Sequence, residues 1–83
     1  MNKTELKEKL EKLRINPNYY SLDGGPLLDS QVILDHSYNY YSDDKKYDEW
    51  RVFFMERGIR YKENVYYNED EACKDVFERV IKL

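Results

Sequence analysis

One histidine, His36, and one cysteine, Cys73, are the only imidazole and thiol in a chain of 83 residues. A metal centre needs several such groups converging, and a nucleophile needs a base beside it. Asp35 is the acid nearest His36, but on a strand neighbouring side chains point to opposite faces, so the two do not chelate together. Cys73 falls among Ala72, Val76 and Phe77 on what reads as the buried face of a helix, where a cysteine is a small hydrophobe. The acids near it oppose a thiolate.

Carboxylates come in pairs at Asp43-Asp44 and Asp48-Glu49. Acid–base work on a glycosidic bond requires such a pair across a walled cleft, which a domain of this size with two helices and few strands hardly builds. A calcium loop wants alternating oxygen ligands around a central glycine, a spacing that neither pair has. The run Asp23-Gly24-Gly25-Pro26 invites a phosphate-loop reading, yet no Lys-Ser/Thr pair and no helix start follow it, and its carboxylate repels an anion. It reads as a turn. The expectation is therefore no catalytic residue, no metal and no cofactor.

Binding is the better-supported chemistry. The chain holds nine tyrosines, and Tyr38, Tyr40, Tyr41 and Tyr47 crowd into one acidic stretch that ends at Trp50. Tyrosine supplies a large rigid contact area with a polar tip, the make-up of a surface that grips another protein. Residues 16 to 50 carry seven acids (Asp23, Asp29, Asp35, Asp43, Asp44, Asp48, Glu49) against Lys45 and Lys46, whereas residues 51 to 83 balance seven against seven. Such a field repels a phosphate backbone and steers basic proteins in. The plainer reading is that these charges serve solubility.

The length bounds one small domain with a thin core. A charged fraction of 37% predicts high solubility, and an aromatic fraction of 16% supplies the core material that a disordered chain lacks. With a single cysteine no intrachain disulfide forms, and with neither a signal-peptide pattern nor an apolar run near 18 residues the chain reads as cytoplasmic, with no membrane partner.

These residues must be positioned by a small set of elements. Leu6, Leu10 and Leu13 recur at helical spacing, predicting an amphipathic helix over residues 2–15, begun by the capping-box pair Asn2 and Glu5, with Thr4 as an alternative cap, and ended before Pro17. Strands are expected over 19–22, 31–38, 47–55 and 59–67. Val32, Leu34 and His36 share one face of the second; Trp50, Val52 and Phe54 share one side of the third, with Arg51, Phe53 and Met55 on the other. Glu56-Arg57-Gly58 reads as a tight reversal with Gly58 at positive φ, and Lys62-Glu63-Asn64 as a bulge or a second turn. Asn68 caps a last helix over 69–82, with Ala72, Cys73, Val76, Phe77 and Val80 on its apolar face and Ile81 and Leu83 extending it. The order predicts an α+β domain: an antiparallel sheet of three to four strands with both helices on one face.

Two stretches carry a family resemblance. Asp48-Glu49-Trp50-Arg51-Val52-Phe53-Phe54-Met55-Glu56-Arg57-Gly58 and Tyr67-Asn68-Glu69-Asp70-Glu71-Ala72-Cys73 resemble the tryptophan strand, Glu-Arg-Gly turn and acid-capped last helix of small bacterial immunity proteins. Those proteins are encoded beside polymorphic or contact-dependent inhibition toxins, many of them nucleases. The resemblance covers about the C-terminal half, and it implies a non-enzymatic, stoichiometric inhibitor of a cognate toxin. An antidote to a basic nuclease needs an acidic surface for fast association and aromatic anchors for slow dissociation. Candidate partner-binding residues are Asp35, Tyr38, Tyr40, Tyr41, Asp43, Asp44, Tyr47 and Asp48. Two other readings stand beside this one. One is a non-enzymatic regulatory module that binds a different cytoplasmic protein, or itself, through the same surface. The other is a single-stranded RNA platform of Trp50, Phe53, Tyr61 and Tyr66 served by Arg51, Arg57, Arg60 and Lys62, which the acidic middle disfavours.

Overall fold

The computed structural model describes residues 1–22, 29–40 and 46–83, of which 38–40 and 46 are described by their backbone alone. Helix α1 (Lys3–Lys12) leads through a 3-10 turn (Pro17–Tyr19) into strands β1 (Tyr20–Ser21), β2 (Gln31–Tyr40), β3 (Lys46–Glu56) and β4 (Ile59–Tyr66), and helix α2 (Glu69–Ile81) closes the chain. The strands form one sheet in the order β1-β2-β3-β4. This is the expected α+β arrangement. Among the described residues no helix is long and apolar enough to cross a membrane.

Both helices begin where side-chain chemistry directs. Asn2 accepts the Glu5 N–H at 2.8 Å while the Glu5 carboxylate accepts the Asn2 N–H at 3.3 Å, so two orphan donors are satisfied reciprocally. Asn68 accepts the Glu71 N–H at 3.3 Å, and Glu69, Asp70 and Glu71 lie at the positive end of the helix dipole. The two N-termini also meet: the Lys3 N–H donates to Glu69 Oε1 at 2.8 Å, and Met1 pairs with Asp70. The helices thus start together at one end of the sheet.

Helix α1 is shorter than its spacing predicts. It stops at Lys12, with Leu13 as cap and Arg14 at φ +56°. The Arg14 N–H donates to Glu11 O at 2.9 Å and the Ile15 N–H to Leu10 O at 3.2 Å, the double closure that ends helices through a left-handed residue. Pro17 is too far downstream to be the cause; the return of Ile15 to the core is what ends the helix. Leu13 is consequently 54% exposed, outside the apolar face on which Leu6 and Leu10 are fully buried. Ile81 and Leu83, expected to extend the face of α2, are exposed as well.

The sheet is mixed, where a purely antiparallel one was expected. β1 pairs in parallel with β2, Tyr20 opposite Val32 and Ser21 opposite Ile33. A two-residue strand has no alternation to signal its direction, which is decided by where the connection to β2 returns. That connection, including the turn read at Asp23-Gly24-Gly25-Pro26, lies outside the described residues. The β3–β4 reversal follows its sequence: Glu56 pairs with Ile59, and Arg57 (φ +52°) and Gly58 (φ +75°) form the two-residue loop with both central residues left-handed. The segment Lys62-Glu63-Asn64 is a bulge. Val52 pairs with Asn64 and Phe54 with Tyr61, so Lys62 (φ +54°) and Glu63 together oppose Phe53.

The core lies between the helices and one sheet face, where Leu6, Leu10, Val32, Leu34, Val52, Cys73, Val76 and Val80 are all buried. The opposite face is not simply wet. Ile33 and its cross-strand partner Phe53 are 2% and 1% exposed, and the Arg60 guanidinium stacks 4.3 Å from the Phe53 ring centroid.

Candidate functional site

Strands β2 and β3 outrun their neighbours. Their pairing is unbroken from Gln31↔Met55 to Tyr40↔Lys46. β1 reaches only as far as Ile33, and β4 meets β3 last at the pair Trp50↔Tyr66. Beyond these limits, among the described residues, Ser37–Tyr40 and Lys46–Glu49 form a two-stranded arm that extends from the four-stranded body. A lone two-stranded ribbon is marginal in water, so what holds its root determines how rigid it is.

The root is held by a stack on the helix side. His36 and Trp50 are cross-strand partners whose rings lie 4.5 Å apart at an interplanar angle of 4°, and His36 Nε2 lies 3.1 Å from Asp48 Oδ1. On the opposite side Glu49 is 7% exposed and accepts from Arg51 Nε at 3.1 Å. Glu63, brought over Phe53 by the bulge, bridges Arg51 at 3.5 Å and Arg60 at 3.0 Å. The hydrogen bond that Arg51 donates to Glu49, then the charge of Glu49, makes the Arg51 guanidinium hold its proton more firmly. Next to this web Tyr47 packs at a tilt against Tyr67, with ring centroids 5.9 Å apart.

The expected site residues therefore distribute around the arm. Tyr38 pairs with Asp48 across the two strands, and Tyr40 with Lys46. Asp35 is half-buried, opposite Arg51 on the face away from the helices, and Tyr47 lies on that same face. Asp48 is exposed on the other face with His36. Asp35 and Tyr47 are thus separated from Asp48 by the thickness of the sheet. Tyr41, Asp43 and Asp44 lie outside the described residues. Sequence reasoning did not foresee the His36–Trp50 stack or the Glu49–Arg51–Glu63–Arg60 web. The alternation of sign at positions 49 and 51 was a usable signal for the first link of the web, because residues two apart share a strand face. The contribution of Glu63 depends on the bulge and carried no local signal.

The chemistry of the remaining groups is structural. Burial, and secondarily the charge of Glu69, pushes the Cys73 thiol up to about 11, so it stays protonated and inert at neutral pH. Among the described residues no group of three His, Cys, Asp or Glu side chains is arranged to hold a metal ion. Tyr66 is spent on a hydrogen bond to Asp75 at 2.6 Å, with Asp75 also bound by Arg79 at 2.7 Å and Asn64 at 3.1 Å. A concave apolar surface lies where the helices end, between Leu13, Ile15, Tyr19, Phe77 and Ile81. Its polar side chains are those of Arg14, Asn16 and Tyr19. No protein-family model matches the chain, nor does any curated protein or solved structure.

Proposed function

We propose that this chain is an immunity protein, a non-enzymatic cytoplasmic inhibitor that neutralises a cognate bacterial toxin by stoichiometric contact, the toxin being a basic nuclease domain. The observation that supports this reading is the arm: among the described residues, Tyr38, Tyr40, Tyr47 and Asp48, all from the chain's densest run of tyrosines and acids, lie where β2 and β3 extend past β1 and β4. An arm with that composition supplies what tight inhibition of a cationic enzyme requires. Acids accelerate the encounter over long range, and aromatic rings held on a rigid element slow dissociation. Direct nucleic-acid binding is disfavoured by the same charges.

The test is to express the toxin domain encoded beside this chain with and without it. Rescue of growth, with a one-to-one complex in solution, is the expected result; continued toxicity in the presence of the folded chain removes the reading. Replacing Asp43 and Asp44 together by lysine is expected to slow association roughly tenfold at low ionic strength and to flatten its salt dependence. Unchanged kinetics would exclude those two acids from the encounter.

A further inference from the structure

We infer that the recess between the last turn of α2 and the helix-side face of the sheet binds a small amphipathic anion, a carboxylate or phosphate monoester carried on an apolar body. This goes beyond the inhibitor reading and does not depend on it, because the recess lies toward the end of the sheet away from the arm. It measures about 590 Å³, within the size range of small-ligand sites. Val32 pairs with Phe54 and Phe54 with Tyr61, so the three share one sheet face and give the recess an apolar floor, with Tyr61 still 45% exposed. Lys62, Arg79 and Lys82 also line it, and none of its described lining residues is acidic. The chain as a whole has a net charge of −3, so this local excess of cations does not follow from composition.

The cations do more than serve the fold. Arg79 is fixed in place, Nε donating to Asp75 Oδ1 at 2.7 Å and Nη2 to the Lys62 carbonyl at 2.6 Å. Asp75 thereby balances its charge, and Nη1 is left buried without a partner, a donor that an anion would satisfy. Among the described residues neither Lys62 nor Lys82 forms an ion pair. The negative end of the helix dipole would account for Arg79 and Lys82, both at the end of α2, but Lys62 belongs to β4. Lys62 is the left-handed residue of the bulge, at φ +54°, where glycine is the usual occupant. A lysine there strains the backbone, and strained positions of this kind gather where a side chain is used. The bulge sends Glu63 to Arg51 on the far face and leaves Lys62 at the recess, its carbonyl clamped by Arg79.

The two components of the lining select the ligand class. An apolar floor disfavours a bare hydrated ion, and the lysines favour a negative headgroup. An anion between Lys62 and Lys82, with its apolar part on Phe54 and Tyr61, satisfies both.

Titration of the full isotope-labelled chain with octanoate, phenyl phosphate and neutral octanol, followed by amide chemical shifts, tests this. Either anion is expected to give saturable shifts confined to Val32, Phe54, Tyr61–Asn64 and Arg79–Leu83, and the tighter of the two names the headgroup. Octanol should bind roughly tenfold more weakly than octanoate. Lys62→Gly is the decisive variant, since glycine suits the left-handed position: its thermal midpoint should hold or rise while anion affinity falls roughly tenfold. Lys82→Gln should weaken binding by a similar factor with the helix intact. Octanol binding as tightly as octanoate, or full anion affinity in both lysine variants, overturns the anion site. Absence of saturable shifts with either anion, or shifts placed elsewhere, overturns it too. The assay contains no toxin, so its failure and that of the inhibitor reading are read separately.

Discussion

The imidazole of His36 lies flat on the indole of Trp50, its partner across the β2–β3 ladder, at the point where a four-stranded sheet narrows to a two-stranded arm. Toward the body, each of these strands has a strand neighbour on its far side; toward the tip, neither does among the described residues. The stack is therefore the ring layer on the helix side at the root of the arm and limits how far fraying from the tip can travel. Aromatic pairs contribute about 0.5–1.5 kcal/mol beyond area burial, equivalent to a roughly two- to tenfold change in a local opening equilibrium. His36→Ala should speed amide exchange in Ser37–Tyr40 and Lys46–Glu49 by about that factor and leave Val32, Ile33 and Val52 unchanged. A uniform increase across the sheet would show that the pair supports the whole fold rather than the arm.

Phe53 tests whether the sheet face without helices is a second buried layer. It is 1% exposed, opposite Ile33 at 2%, under the Arg60 guanidinium. Phe53→Ala should cost about 3–5 kcal/mol in denaturant unfolding, the range for large-to-small changes in a core. Tyr61→Ala, at a side chain 45% exposed on the same hairpin, should cost much less. Equal effects would place Phe53 effectively in solvent.

How far the architecture was legible depends on the distance over which each feature is decided. Asn2 with Glu5, Asn68 with Glu71, and Arg57-Gly58 each complete their hydrogen bonds or dihedral requirements within four residues, and each is found where the sequence puts it. At Lys62-Glu63-Asn64 the sequence signals an irregularity, and pairing with β3 makes it a bulge rather than a turn. The direction of β1 and the burial of Phe53 are set by partners 12 or more residues away or by the sheet as a whole. No local pattern encodes them. The arm is intermediate. Its composition was visible in Tyr38, Tyr40, Tyr47 and Asp48, but that it projects follows from the shortness of β1 and the end of β4 at Tyr66, which are properties of its neighbours.

Arg14 is a position at which the fold can be improved. It holds the left-handed position that closes α1, at φ +56°, where glycine is the usual occupant. A side chain in that region costs about 1–2 kcal/mol, partly offset because glycine also loosens the unfolded chain by roughly 0.4–1 kcal/mol. Arg14→Gly should therefore stabilise by about 0.5–1 kcal/mol, raising the thermal midpoint by roughly 2–8 °C for a domain of this size. Arg14→Ala keeps the strain and removes only the charge, so it should give no such gain. A matching rise in Arg14→Ala would assign the effect to charge.

The Tyr66–Asp75 contact joins β4 to α2 and makes stability depend on pH at both extremes. Burial works to raise the Asp75 carboxyl, but hydrogen bonds from Tyr66, Arg79 and Asn64 and the charge of Arg79 outweigh it and hold the group below its ordinary value. A depressed folded-state value means that the stabilisation is fully present above the unfolded value, near 3.9, and is lost as pH falls below it. Tyr66 shifts the opposite way, raised first by burial and then by its hydrogen bond to Asp75. Its contribution is present below about 10 and is lost as pH climbs through the folded value. Tyr66→Phe removes the hydroxyl that serves both groups. Urea unfolding of this variant across the pH range should show a lower plateau at neutral pH, a shallower fall below pH 4 and a shallower fall above pH 10. Tyr20, raised mainly by burial, would sustain what remains of the alkaline limb. Should the variant keep the acid limb at full depth, Asp75 would be held by Arg79 and Asn64 alone, and the tyrosine would be a packing residue only.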